Sequence, residues 1–166
     1  VISNPKLQIL EDLYQQADDQ HISQSHFSDV QSIFFTSGST GPSKAVMMPN
    51  GHFFANPCSF IRIADLTQND ILYNSLPLFH GIGSRQGVLP AFMVGAQVYL
   101  DKKFSATQFW SSVAKSKATI ALLTPSMPAI LKSKPETPYD KNHQLRGVYN
   151  VLFDEDFENR FNVQML

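Results

Sequence analysis

Apolar positions along the chain follow two rhythms. Compact β-branched and aromatic runs read as strands at residues 30–36 (VQSIFFT), 71–75 (ILYNS), 97–100 (QVYL), 119–123 (TIALL), 148–152 (VYNVL) and 163–166 (VQML). Helical spacing separates them. Residues 5–18 place Leu7, Leu10, Leu13, Tyr14 and Ala17 on one face, and residues 105–117 open on Ser105 as an N-cap and bury Phe109, Trp110 and Val113. Further helices are predicted over 50–65, kinked or interrupted at Pro57, over 83–94 with Pro90 inside, over 125–131, and over 154–161. Polar stretches at 20–29 and 132–143 read as surface loops. Strands that alternate with helices, several of them apolar throughout, predict an α/β fold: a mostly parallel sheet with helices on both faces. In such sheets ligands bind beyond the carboxyl ends of the strands. TSGSTG (36–41) and PLFHG (77–81) both fall there.

FFTSGSTGPSK (34–44) sets a greasy run against glycines, hydroxyls and a lysine. Gly38 and Gly41 allow backbone angles that turn successive amides towards one anion. Thr36, Ser37, Ser39 and Thr40 add hydroxyl donors, and Lys44 adds a mobile cation suited to phosphate oxygens. Composition alone favours the plainer reading, a flexible Gly/Ser turn. A P-loop does not fit, because its lysine follows glycine and precedes Ser or Thr, whereas Lys44 lies between Ser43 and Ala45.

With 43% apolar and 16% charged residues, 166 residues suffice for one globular domain with a real core. A formal net charge of −1 gives no general attraction to nucleic acid or anionic lipid. The lone Cys58 excludes an internal disulfide, which fits a cytoplasmic protein; it is expected to be buried and inert. No stretch is long enough for a membrane span, since the best candidate, 86–100, is short and contains Pro90. No signal-peptide pattern opens the chain. Met47 and Met48 are expected to fill core, and Trp110 likewise. His21, His26, His52 and His143 lack ligand-like spacing and read as surface or packing residues. The acidic run at 154–158 suits the first turn of a helix, with no metal site implied.

In sequence order, FTSGSTGPSKAV (35–46) resembles the phosphate-binding signature of the adenylate-forming, or AMP-binding, superfamily, which includes acyl-CoA synthetases, peptide-synthetase adenylation domains and luciferases. Residues 36–41 match that signature in full and Lys44 is in register; Ser43 stands where the pattern has proline and Ala45 where it has glycine. LPLFHGIG (76–83) resembles the next motif, an aromatic-His pair at a strand end, and residues 95–131 the segment after it. FSATQFW (104–110) together with residues 143–161 most resembles the crotonobetaine/carnitine-CoA ligase branch. One departure stands out. Where the broader family carries a Gly-Gly-Ala-type turn against adenine, this chain reads NVLFDEDF (150–157), so no adenine contact is carried over.

The resemblance implies an ATP-dependent acyl-CoA synthetase acting on a small carboxylic acid, carnitine- or betaine-like or another. A carboxylate attacks the α-phosphate of ATP to give acyl adenylate and pyrophosphate, and coenzyme A then displaces AMP. It implies that Thr36, Ser37, Gly38, Ser39, Thr40, Gly41 and Lys44 hold the ATP phosphates, with Mg²⁺ bridging phosphate oxygens. It also implies that His80 lines the passage where adenylate meets thiol. The family's metal-binding glutamate, ribose-binding aspartate and catalytic lysine belong to motifs beyond Leu166. Residues 1–166 are therefore expected to be the central part of an N-terminal AMP-binding domain, without its C-terminal domain. Such a piece is expected to be inactive alone and prone to self-association through uncovered apolar surface. A peptide-synthetase adenylation domain and a non-catalytic nucleotide-binding relative are the alternatives.

Overall fold

The computed structural model describes residues 24–36 and 41–166. The helix expected over 5–18 and the loop residues Ser37, Gly38, Ser39 and Thr40 lie outside the described residues. A parallel five-stranded sheet is built from β3 (Ile71–Asn74), β4 (Gln97–Leu100), β5 (Ile120–Leu122), β6 (Gly147–Tyr149) and β7 (Gln164–Met165), in the order β4-β3-β5-β6-β7. Its inner strands are apolar on both sides because both faces are covered: Leu72, Tyr73 and all of β5 are buried.

Alternation along β3 and β6 sorts side chains between the faces. On one face Tyr73 meets Phe109 edge-on at 5.3 Å, from helix α3 (Phe109–Ser116). Trp110 of α3 stacks at 4.3 Å on Phe161, from α5 (Glu155–Phe161). On the other face Phe60, from α1 (Asn50–Ile63), packs edge-on against Tyr149 at 5.1 Å. Beside α1 lie a π-helical turn, Ile82–Gln86, and α2 (Leu89–Val94). Helix α4 (Met127–Lys132) sits against α5. Pro57 is buried within α1, which runs through it unbroken. The stretch 83–94, by contrast, is broken at Gly87 and Val88, so that Pro90 falls in the first turn of α2, where its missing N–H costs nothing. Asp154 caps α5 by accepting the Phe157 N–H at 3.0 Å, with Glu155, Asp156 and Glu158 in the first turn, as the acidic run predicts.

Four expectations need correction. Strand β1 (Val30–Thr36) does not join the parallel sheet; it pairs antiparallel with β2 (Lys44–Pro49), a strand hidden in the sequence because Lys44 and Ala45 read as loop. Met47, on the uncovered side of this hairpin, is 68% exposed rather than core. Cys58 is exposed, since its position on α1 turns away from the buried line of Gly51, Pro57 and Phe60. Ser105 does not cap α3: its hydroxyl pairs with that of Thr107, and a tight turn delays the helix to Phe109.

The amino ends of three neighbouring strands are tied together by one carboxylate. Asp70, buried just before β3, accepts from Arg146 Nε and Nη2, each at 3.0 Å, and from the Thr119 hydroxyl at 2.7 Å. Arg146 precedes β6 and Thr119 precedes β5. The Thr67 N–H donates to the same carboxylate at 2.8 Å. Burial alone would raise the Asp70 pKa; the donors from Arg146, Thr119 and Thr67 outweigh it and hold the carboxyl at about 2, below the ordinary 3.8. A folded-state pKa below the unfolded one contributes stability at higher pH and loses it as pH falls through the folded value. Asp70→Ala is expected to cost about 2–3 kcal/mol at neutral pH, read by urea unfolding. The variant should also lack the loss of stability expected of wild type between about pH 4 and pH 2.

Candidate functional site

At the carboxyl ends of these strands lies a cleft of about 630 Å³. Its walls come from four places: Phe34, Phe35 and Thr36 at the end of β1; Asn56 on α1; residues 79–82, Arg85 and Gln86 in and before the π-helical turn; and Tyr149 and Val151 at the end of β6. Thr36 and His80, 44 positions apart in sequence, thus face one space. Lys44 is not part of the lining. It pairs directly with Thr36 across the hairpin, and the Thr36 hydroxyl donates to the Lys44 carbonyl at 3.4 Å. The two ends of the loop 36–44 are thereby pinned together. A Cβ on Gly41 would meet no atom within 4 Å among the described residues.

Asn74, fully buried at the end of β3, holds the segment that carries His80. Its Nδ2 donates to the Gly83 carbonyl at 2.8 Å, and its Oδ1 accepts the Leu76 N–H at 3.0 Å. A Cβ on Gly83 would come within 2.2 Å of the Pro77 carbonyl oxygen, so the chain can reverse here only with glycine. His80 is exposed at the cleft mouth. Its Nδ1 accepts the Ile82 N–H at 3.2 Å, so the neutral ring carries its proton on Nε2. Gln86 Nε2 donates to the Tyr149 hydroxyl at 3.1 Å across the cleft floor.

Arg85 is the feature that sequence reading missed. Its side chain is 4% exposed, with the guanidinium 4.2 Å above the Phe34 ring. Nη2 donates to the Ser32 hydroxyl at 3.1 Å and Nη1 to His52 Nδ1 at 3.2 Å, while Nε finds no partner among the described residues. Burial lowers its pKa. A signal was present: Arg85 is the one Asp, Glu, Lys or Arg between Asp70 and Asp101. Asn74, Gln86 and Tyr149 carried no comparable mark, because nothing in one sequence says which buried polar groups will converge. Among the described residues no three His, Cys, Asp or Glu side chains gather as metal ligands, and the described lining of the cleft contains no carboxylate.

Residues 2–156 match the family model described as AMP-binding enzyme. The chain belongs to the AMP-binding enzyme family. Over 144 residues it is 38% identical to the crotonobetaine/carnitine–CoA ligase of Proteus mirabilis (strain HI4320), and 35% identical to the protein of that name from Salmonella typhimurium. Each match covers 83% of this chain and 28% of the relative, so the chain spans about a quarter of the length of these relatives. Among solved structures, the N-terminal domain of FACL13 from Mycobacterium tuberculosis superposes with a TM-score of 0.76 at 22% identity, covering 93% of this chain and 40% of that one. ATP-bound MatB from Rhodopseudomonas palustris does so at 0.69 and 19%, covering 85% and 28%. These likenesses bear out the α/β fold, with its parallel sheet.

For an AMP-binding enzyme the local departures are now placed. Val151, within the stretch that replaces the usual glycine turn, lines the cleft beside Tyr149. Val151, Leu152 and Phe153 are all more than half exposed, so that stretch offers an apolar edge rather than a close backbone approach. Gly83→Ala should force the Pro77 carbonyl and the His80 segment apart, at about 1–3 kcal/mol. The expected result is a melting temperature several degrees lower, seen by circular dichroism; an unchanged transition would show that the turn has slack that the geometry does not suggest.

Proposed function

We propose that this chain carries the phosphate loop and part of the acyl passage of an ATP-dependent acyl-CoA synthetase. The observation that carries the reading is convergence: Thr36, where the loop 36–44 begins, and the segment bearing His80 line one cleft at the strands' carboxyl ends. The relatives named crotonobetaine/carnitine–CoA ligase support carboxylate-to-thioester chemistry. In this reading residues 1–166 form the central part of a larger nucleotide-binding domain, in keeping with the share of its relatives that the chain spans.

Thr36, Ser37, Gly38, Ser39, Thr40, Gly41 and Lys44 hold the β- and γ-phosphates and stabilise charge on the departing pyrophosphate. A substrate carboxylate oxygen bonds to the α-phosphorus as the bond to the bridging oxygen breaks. The coenzyme A sulfur then bonds to the acyl carbon, the thiol proton is released, and AMP departs. Mg²⁺ bound with ATP would offset phosphate charge, and no residue of the described lining would be its carboxylate ligand. His80, at the mouth with an Nε2–H free to point outward, lines the path between acyl adenylate and thiol. The substrate is a small carboxylic acid, carnitine- or betaine-like or another. Use of ATP and coenzyme A goes with a cytoplasmic location. The hairpin's exposed Ile33, Phe35 and Met47 are the surface through which the isolated chain would self-associate.

In the full-length protein, Lys44→Ala and Thr40→Ala are each expected to slow adenylation by about 2–4 kcal/mol of transition-state stabilisation, with little change in fold. ATP–pyrophosphate exchange measures this, and unchanged exchange in both variants would remove the loop assignment. His80→Ala should impair acyl or thioester formation more than ATP binding. Single-turnover assays of each half-reaction separate the two; a change confined to ATP affinity would show His80 to be misplaced.

A further inference from the structure

Arg85 brings a positive charge to the cleft wall with no carboxylate beside it among the described residues. Its known partners are a serine hydroxyl, an imidazole nitrogen and an aromatic face, none of which carries formal negative charge as bound here. A buried cation without a counter-charge is costly. An anionic oxygen entering from the cleft would supply that counter-charge.

We propose that Arg85 is a specificity-determining residue that selects acids whose far end carries a second anionic oxygen group, such as a carboxylate, over acids ending in a methyl or a quaternary ammonium. The inference rests on the synthetase reading for what enters the cleft. Quaternary ammonium groups are recognised by open aromatic faces and by carboxylates. Here one face of Phe34 is covered by the guanidinium and the described lining has no carboxylate, so although Phe35, Phe79 and Tyr149 also line the cleft, its one formal charge is positive. A trimethylammonium tail would meet like charge at this wall, whereas a carboxylate tail would meet a guanidinium. The cleft holds about 630 Å³, ample for a short diacid. The same charge could instead serve a phosphate oxygen of the nucleotide, so the test must separate the two anions.

Calorimetric titration of the full-length protein with glutarate, pentanoate, γ-trimethylammoniobutyrate and, separately, ATP–Mg²⁺ makes that separation. Glutarate should bind roughly thirtyfold or more tightly than pentanoate, with γ-trimethylammoniobutyrate weakest. Arg85→Leu should erase the glutarate preference, while Arg85→Lys retains part of the preference. Tightest binding by the trimethylammonium acid would overturn the proposal, as would no binding by any of the acids. Loss of ATP affinity in Arg85→Leu with the glutarate preference intact would assign the charge to the nucleotide and equally overturn it. Should Arg85→Leu fail to fold, the ranking of the three acids on wild type decides. Glutarate preference without pyrophosphate exchange on any acid would sink the synthetase reading and leave the anion site standing.

Discussion

Asp70 is the constraint on which the arrangement rests. Its two oxygens gather a guanidinium, a threonine hydroxyl and a backbone amide from the beginnings of three strands that are far apart in sequence. Parallel strands have no short turn to set their register, so long crossovers leave it to side chains. A buried carboxylate that accepts from Thr119 and Arg146 at once permits a single alignment of β3, β5 and β6. The opposite ends of the same strands are then free to carry loops whose shape is dictated by chemistry. Asn74 and Tyr149, at those ends, stand in the site because Asp70 and Arg146 are locked at the other.

Strand β1 reaches the cleft by a different route. Among the described residues β1 and β2 join no larger sheet, and their Ile33, Phe35 and Met47 are exposed. Their inward residues fasten the hairpin to the body: Ser32 and Phe34 bear on Arg85, and Arg85 bears on His52 of α1. One buried cation joins three elements, which is why a charged residue is tolerated in a stretch otherwise without one.

Much of this was legible in the sequence. The strand at 97–100 and the helix start at Asp154 follow from β-branched runs and first-turn acids, which are local effects. The parallel sheet follows from alternation, and the family from the ordered string at 36–44. What escaped was non-local. Strand β2 was masked by a lysine whose meaning depends on Thr36 opposite it. Cys58 and Met47 sit in apolar surroundings in sequence but point outward, because each lies on the side of its element turned from the sheet. Arg85 and Asn74 act through partners dozens of residues away or through backbone carbonyls, and neither kind of partner leaves a trace in spacing.

If Arg85 receives an acid tail as proposed, its fastening of the hairpin makes the position of β1 and tail recognition a single equilibrium. Any group that draws on the guanidinium from the cleft side competes with, or reinforces, its hold on Ser32 and His52. The free energy of seating an acid tail is therefore shared with that of holding the strand that ends at Thr36. By thermodynamic reciprocity, whatever orders the loop must alter the affinity for the tail by the same factor. The two substrates of the proposed first step would then sense each other through one side chain, with no contact between them.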